Sequence, residues 1–185
     1  MNKKSTLSTI LALFAAMLLL NACAAYDVAV DERTAGQWVD DKNISLTIEK
    51  DFLADDLVKY LDYDAYSYRG HVYIVGEYES REQVNRAVKI AKNIQGVHTV
   101  TTYLLPKKAD DEGCSTVDTA SLYGKLKSKL VDDKNIWSTN IDINIVQCNV
   151  VLLGIMGSQA EKAAAEAHAR SVEGVRSVKS FLTVK

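Results

Sequence analysis

The chain has 185 residues, with 22 Lys and Arg against 24 Asp and Glu and a net charge of −2. Broad nucleic-acid binding needs a basic footprint, so this mildly acidic balance excludes it. The charge is uneven: residues 40–108 hold 10 basic and 11 acidic side chains, whereas residues 114–185 hold 9 and 7.

Lys3 and Lys4 precede an apolar run from Ile10 to Leu20, which ends in Leu20-Asn21-Ala22-Cys23. A basic start, a short apolar stretch and a small residue before a cut site describe a secretory signal peptide over residues 1–22. The run of 11 residues falls short of the roughly 20 that span a bilayer. Leu20-Asn21-Ala22-Cys23 also resembles the lipobox of bacterial lipoproteins. That resemblance implies that Cys23 becomes the mature N-terminus and carries a diacylglycerol thioether; the alternative is an ordinary signal peptide with a chance cysteine. Ala24 follows, with no Asp at that position, which by resemblance to enteric sorting points to the outer membrane and the periplasmic face of the bacterial envelope. Residues 23–39 read as a polar, irregular tether between lipid and domain, a coil spanning about 20 Å.

Displaced by 78 positions, the second half of the sequence falls on the first without a gap: Gly76 on Gly154, Ser80 on Ser158, Gly96-Val97 on Gly174-Val175. An ungapped repeat means two copies of one compact module. Residues 40–108 form the first, 109–116 an acidic linker and 117–185 the second. Each opens with an amphipathic helix, marked by Ile44, Ile48 and Phe52 with Leu53, and by Leu122, Leu126 and Leu130 with Val131. A hairpin follows, turning at Arg69-Gly70 and at Gln147-Cys148-Asn149 and stopping at Gly76 and Gly154. Ser80 with Gln83, and Ser158 with Glu161, read as capping boxes. The helices that they start carry Val84, Ala87, Val88, Ala91 and Ile94 in one copy, and Ala160, Ala163, Ala164, Ala167 and Val172 in the other. Both helices are expected to stop at a glycine, Gly96 or Gly174. A last strand, from Val97 or Val175, closes each module parallel to the strand before the helix. The fold class is therefore α+β: two tandem α-β-β-α-β modules, each a three-stranded mixed sheet with helices on one face.

Cys114 and Cys148 are the other cysteines, and in a secreted chain such a pair reads as a disulfide. No metal site is expected, because neither cysteine has a ligand at metal spacing. His71, His98 and His168 show no ligand motif. Asp55-Asp56 and Asp132-Asp133 follow helices, where capping or solvation explains them better than acid–base work. Serines lack a G-x-S-x-G setting, and no phosphate loop occurs. The chain reads as a non-enzyme without a cofactor. Trp38 and Trp137 stand alone; Trp137, between helix and strand, is expected to pack, with membrane contact as its other possible role.

Val72-Tyr73-Ile74-Val75-Gly76 through Gly96-Val97-His98-Thr99-Val100, and Val150-Val151-Leu152-Leu153-Gly154 through Gly174-Val175-Arg176-Ser177-Val178, resemble the BON family, the bacterial OsmY and nodulation type of domain. With the lipobox, the whole chain resembles a dual-BON lipoprotein. The fold signature is Gly76, Ser80, Gly96, Gly154, Ser158 and Gly174. The resemblance implies binding to anionic phospholipid surfaces and support of envelope integrity or stress tolerance. On the first helix of the second module, Lys125 and Lys129 share a face, Lys127 flanks the apolar stripe and Tyr123 is near the helix start; with Trp137 they are the candidate lipid contacts. The alternative is a protein-interaction scaffold for an envelope assembly factor or chaperone, with lipid serving only as tether.

Overall fold

The computed structural model describes residues 29–58, 63–108 and 114–185. The signal peptide, Cys23 and linker residues 109–113 lie outside the described residues. Helix α1 (Ala35–Leu53) starts inside the expected tether. Thr34 and Gln37 form a capping box, with the Gln37 N–H donating to Thr34 Oγ1 at 3.3 Å and the Thr34 N–H to Gln37 Oε1 at 3.2 Å. The tether reading therefore fails at its C-terminal end. A helix can begin at a polar cap well before its buried stripe, and here the stripe starts only at Asp41 and Ile44.

Strand β1 (Tyr63–Tyr68) pairs antiparallel with β2 (His71–Tyr78) across a turn in which Arg69 and Gly70 have φ of 54° and 74°. Two successive positive φ values are the type I′ geometry that matches strand twist. Helix α2 (Arg81–Lys92) crosses over, and β3 (Thr99–Pro106) returns parallel to β2. The second copy repeats the order with α3 (Thr116–Asp132), a short 3-10 turn (Ser138–Asn140), β4 (Ile141–Val146), β5 (Asn149–Met156), α4 (Gln159–Arg170) and β6 (Ser177–Val184). Both sheets place the hairpin's second strand in the centre. Their registers match, Tyr63 facing Gly76 and Gly76 facing Leu104 as Ile141 faces Gly154 and Gly154 faces Leu182.

The central strands run through Gly76 and Gly154 and do not stop there. A Cβ on Gly154, at φ 149°, would sit 2.0 Å from the Asn140 carbonyl oxygen, so the glycine admits a backbone crossing within the strand. The crossover helices close at Lys92 and Arg170, and Gly96 and Gly174 lie in the turns beyond them.

Ile44, Ile48 and Phe52 pack with Ala87 and Ala91 over one sheet face. Leu122, Leu126 and Leu130 do so with Ala165 and Ala169 over the other. The expected alanines of α4 are shifted: Ala160, Ala163 and Ala167 are exposed, and Ala164 is half-buried. The buried pair lies where the repeat places Ala87 and Ala91. Leu53 and Val131 are 70 % and 58 % exposed and do not join the cores.

The two sheets pack face to face. Tyr73 and Val75 of β2, with Tyr68, meet Val146, Val151 and Leu153, and the rings of Tyr73 and Phe181 are 4.9 Å apart. β1 contacts β5 and β2 contacts β4, the pairs that a twofold relation between the copies exchanges. Asn144 Nδ2 donates to Asp64 Oδ2 at 2.6 Å, Gln147 Nε2 donates to the Pro106 carbonyl at 2.8 Å, and the Tyr68 hydroxyl donates to Asp142. The layers therefore run helix, sheet, sheet, helix.

Candidate functional site

Helix α3 starts at Ser115, whose Oγ accepts from the Asp118 N–H at 3.2 Å. Burying Leu122, Leu126 and Leu130 fixes how its other residues point, because successive side chains turn by about 100°. Lys125 and Lys129 fall on one flank of that stripe; Tyr123 and Lys127 fall on the other. Val117, Gly124 and Val131 face outward between them. Lys125 and Lys129 are exposed, as expected of a solvent-facing cationic pair. Lys127 is half-buried and donates to the Ser138 carbonyl at 3.0 Å.

That bond draws Lys127 toward the loop holding Trp137. The expectation that Trp137 packs is overturned, since it is 51 % exposed. The loop is held by its backbone: the Trp137 N–H donates to Glu161 Oε1 at 2.8 Å, and the Gly157 N–H donates to Oε2 at 2.9 Å. The second capping box is therefore only half present. Ser158 caps α4 through the Glu161 N–H at 3.1 Å, but the Glu161 carboxylate serves the loop and Gly157. In the first copy both halves form between Ser80 and Gln83.

Asn140 Nδ2 donates to the Val30 carbonyl at 2.9 Å, and Lys185 Nζ lies 3.2 Å from Glu32. The N-terminal segment thus joins the fold on the second module, three residues from Trp137. Val30 lies seven positions after Cys23, a reach of at most about 25 Å. Tyr123, Lys127 and Trp137 share the flank nearest that point, and Lys125 and Lys129 are on the other side of the helix. No sequence signal pairs Val30 with Asn140.

The two modules are stapled by different means. Cys114 and Cys148 are joined by a disulfide with a Cα–Cα distance of 5.7 Å, tying the start of α3 to the β4–β5 turn. Gly36 and Gly70 occupy those positions in the first copy. There Asp41 does the tying: Oδ1 accepts from the Gly70 N–H at 3.0 Å and Ser67 Oγ at 2.7 Å, while Oδ2 accepts from the Arg69 N–H at 2.7 Å and Arg33 Nη1 at 3.0 Å. Arg33 is buried, bonded also to Asp31, with its guanidinium 5.0 Å from the Tyr68 ring centre. Sequence reasoning missed Asp41 and Arg33, although an acidic residue paired by the repeat with Thr119 was a visible asymmetry.

One member of each acidic pair holds the loop that follows its helix. Asp55 accepts from the Leu57 and Val58 N–H groups at 3.0 and 3.2 Å and pairs with Arg86. Asp133 accepts from the Asn135 N–H and contacts His168 at 2.9 Å. Hydrogen bonds from Arg86 and from His168 hold these carboxyls below the usual range. His71 stacks on Tyr73 at 4.4 Å, and burial lowers its pKa. Among the described residues, no three His, Cys, Asp or Glu side chains are grouped to hold a metal, and no helix is long and apolar enough to cross a membrane. A cleft of about 670 Å³ beside α1 is lined by Asp41, Arg69 and His98, but Asp41 already accepts four hydrogen bonds from its own module.

The family profile described as BON domain matches residues 40–105 and again 118–185. The chain is 30 % identical over 167 residues to the osmotically-inducible protein Y of Escherichia coli, covering 89 % of this chain and 83 % of that protein. It is 27 % identical over 184 residues to the outer membrane lipoprotein DolP of Haemophilus influenzae, covering 94 % of each. A solved structure of CdsD, a structural protein of the type III secretion system of Chlamydia trachomatis, is 15 % identical with a TM-score of 0.31 over 78 % of this chain and 63 % of that one; a likeness that low bears on no argument.

Proposed function

Because the chain belongs to the BON domain family, we propose that it is a non-enzymatic envelope lipoprotein whose second module binds anionic phospholipid surfaces. Acylation of Cys23 anchors the chain, and the outer membrane is the receiving surface, a reading supported by a relative named as an outer membrane lipoprotein. A relative named as osmotically inducible supports a role in envelope stress tolerance.

The observation that carries the lipid contact is the exposed Trp137 beside Lys127, three residues from where the N-terminal segment docks on Asn140. An anchor within about 25 Å keeps this flank close to the bilayer. An indole and a phenol suit the interface between headgroup and acyl chain. Each lysine near an anionic surface contributes about 1 kcal/mol.

The test is co-sedimentation of a signal-less Cys23→Ser form with phosphatidylglycerol or phosphatidylcholine vesicles across a salt series. Binding is expected to need phosphatidylglycerol and to weaken with salt. Reversal of Lys125, Lys127 and Lys129 to Glu, and separately Trp137→Ala, should each weaken it, the charge reversal by about tenfold or more. Unchanged binding by these variants would overturn the assignment of the surface.

A further inference from the structure

Among the described residues of the first module, helix α1 carries exposed large apolar side chains. Val39, Leu46 and Leu53 are 48 %, 62 % and 70 % exposed. Their seven-residue spacing sets them on one line, on the side of the helix away from Ile44, Ile48 and Phe52. Lys42 and Lys50, four residues to either side of Leu46, are exposed along that line, and Lys42 Nζ lies 5.7 Å from the Trp38 ring centre. Asp40 and Asp51 turn more than about 100° away from the line, and Glu49 is half-buried at its margin. The repeat sets Val39, Leu46 and Leu53 on Val117, Gly124 and Val131, the outward line of α3. Both copies therefore leave the same three helix positions facing solvent. Because the sheets pack face to face, the two helices lie on opposite outer sides of the molecule, with two sheets about 10 Å apart between them.

We propose that the ridge of Val39, Leu46 and Leu53, with Lys42 and Lys50, is a second contact surface for an anionic phospholipid bilayer, facing away from the second module's surface, so that one molecule holds two bilayers together. The lysines decide the occupant. A second copy paired antiparallel about Leu46 would set Lys42 against Lys50 of its partner, and parallel pairing would set each lysine against itself. A globular partner would need to grip a convex ridge whose flanking clefts are lined with polar side chains such as Asn43 and Glu49. An anionic bilayer surface asks only for an apolar line bordered by cations. The bridging consequence rests on the lipid contact proposed for α3 and the Trp137 loop.

The experiment uses the signal-less Cys23→Ser form, which keeps every described residue, with vesicles of equal parts phosphatidylglycerol and phosphatidylcholine. Co-sedimentation reads binding, and turbidity reads clustering. The wild type should bind and cluster. Leu46→Glu with Leu53→Glu should bind but lose clustering. Lys42→Glu with Lys50→Glu, which keeps the apolar line, should lower clustering at least tenfold. Reversing Lys125, Lys127 and Lys129 to Glu should leave weaker binding, through the ridge alone, and no clustering. The substituted side chains are exposed or bond only to loop backbone, and matched thermal melts check the fold. Binding without clustering by the wild type, clustering that survives the leucine changes, or loss of all binding in the lysine-reversed form overturns the inference while leaving the second-module contact standing. No binding by the wild type overturns both. A wild-type dimer in sedimentation equilibrium that Leu46→Glu dissolves would assign the ridge to a second copy and overturn it too.

Discussion

Asp41 ties the N-terminal segment to the first hairpin, since four donors, from Arg33, Ser67, Arg69 and Gly70, converge on its carboxylate. Removing it leaves Arg33 buried with Asp31 as its remaining acid, and breaking a buried pair in this way costs about 3–5 kcal/mol. Asp41→Ala should therefore lower the urea midpoint by a large share of a domain's total stability, and an unchanged midpoint would show that the cluster is dispensable. The titrating residues pull in opposite directions with pH. Asp55 and Asp133, held low by Arg86 and His168, contribute stability above their unfolded pKa and lose it as pH falls through the folded value. Partial desolvation at the seam border raises Asp64, whose side chain still reaches solvent, and desolvation with the charge of Asp64 raises Glu49. Their contribution is present below the unfolded pKa, near 4 for carboxyls, and is lost as pH rises through the folded value. His71, whose pKa burial lowers, opposes them by losing stability as pH falls through its unfolded value of about 6.5, so in a His71→Gln background melting temperature should rise as pH falls from neutrality toward about 5 and drop below about 4. Asp64→Asn should flatten the rise, and a rise of the same size in that variant would exclude Asp64 as its source.

At the scale of elements, each module must fasten the start of its first helix to its own hairpin turn. The second uses the Cys114–Cys148 bond across a sequence separation of 34, which contributes about 4 kcal/mol in the chain-entropy treatment. The first uses the Asp41 cluster, which no reductant touches. Dithiothreitol should therefore raise hydrogen exchange in α3 and β4 while leaving α1 and β1 protected. Equal loosening of both modules would mean that the bond supports the shared seam and not the second module alone. The same comparison explains the two crossover helices. Gln83 closes its own cap box, whereas Glu161 reaches past its cap to hold the Trp137 loop, so one helix position serves local structure in one copy and the proposed lipid contact in the other.

At the scale of the molecule, the seam between the sheets makes one body of two repeats. Val75, Val151 and Leu153 are fully buried there, with the Tyr68–Asp142 and Asn144–Asp64 bonds at its border. Leu153→Asp puts a carboxylate into that apolar layer and should part the modules. The expected outcome is a larger radius of gyration in solution scattering and two thermal transitions in place of one. A single transition with an unchanged radius would mean that the seam tolerates the charge. The seam also sets α1 and α3 on opposite sides, which separates the surface proposed near the anchor from the ridge.

The sequence by itself determined the two modules, their α-β-β-α-β order and their helix-facing cores. Hydrophobic period and turn chemistry are local, and an ungapped repeat shows the same local pattern twice. It also marked the cysteine pair and the Ser80 and Ser158 caps. It misjudged the start of α1, the buried alanines of α4, and Trp137, because a cap, a helix phase and a loop tryptophan's exposure depend on what packs against them. Val30 on Asn140, Arg33 on Asp41 and the Tyr73–Phe181 contact each join segments distant in the chain. Only the tertiary structure decided them, because alternation marks both faces of a sheet but cannot say what the second face meets. Once the two sheets close on each other, α1 and α3 lie on opposite outer sides, an arrangement that no local pattern carries.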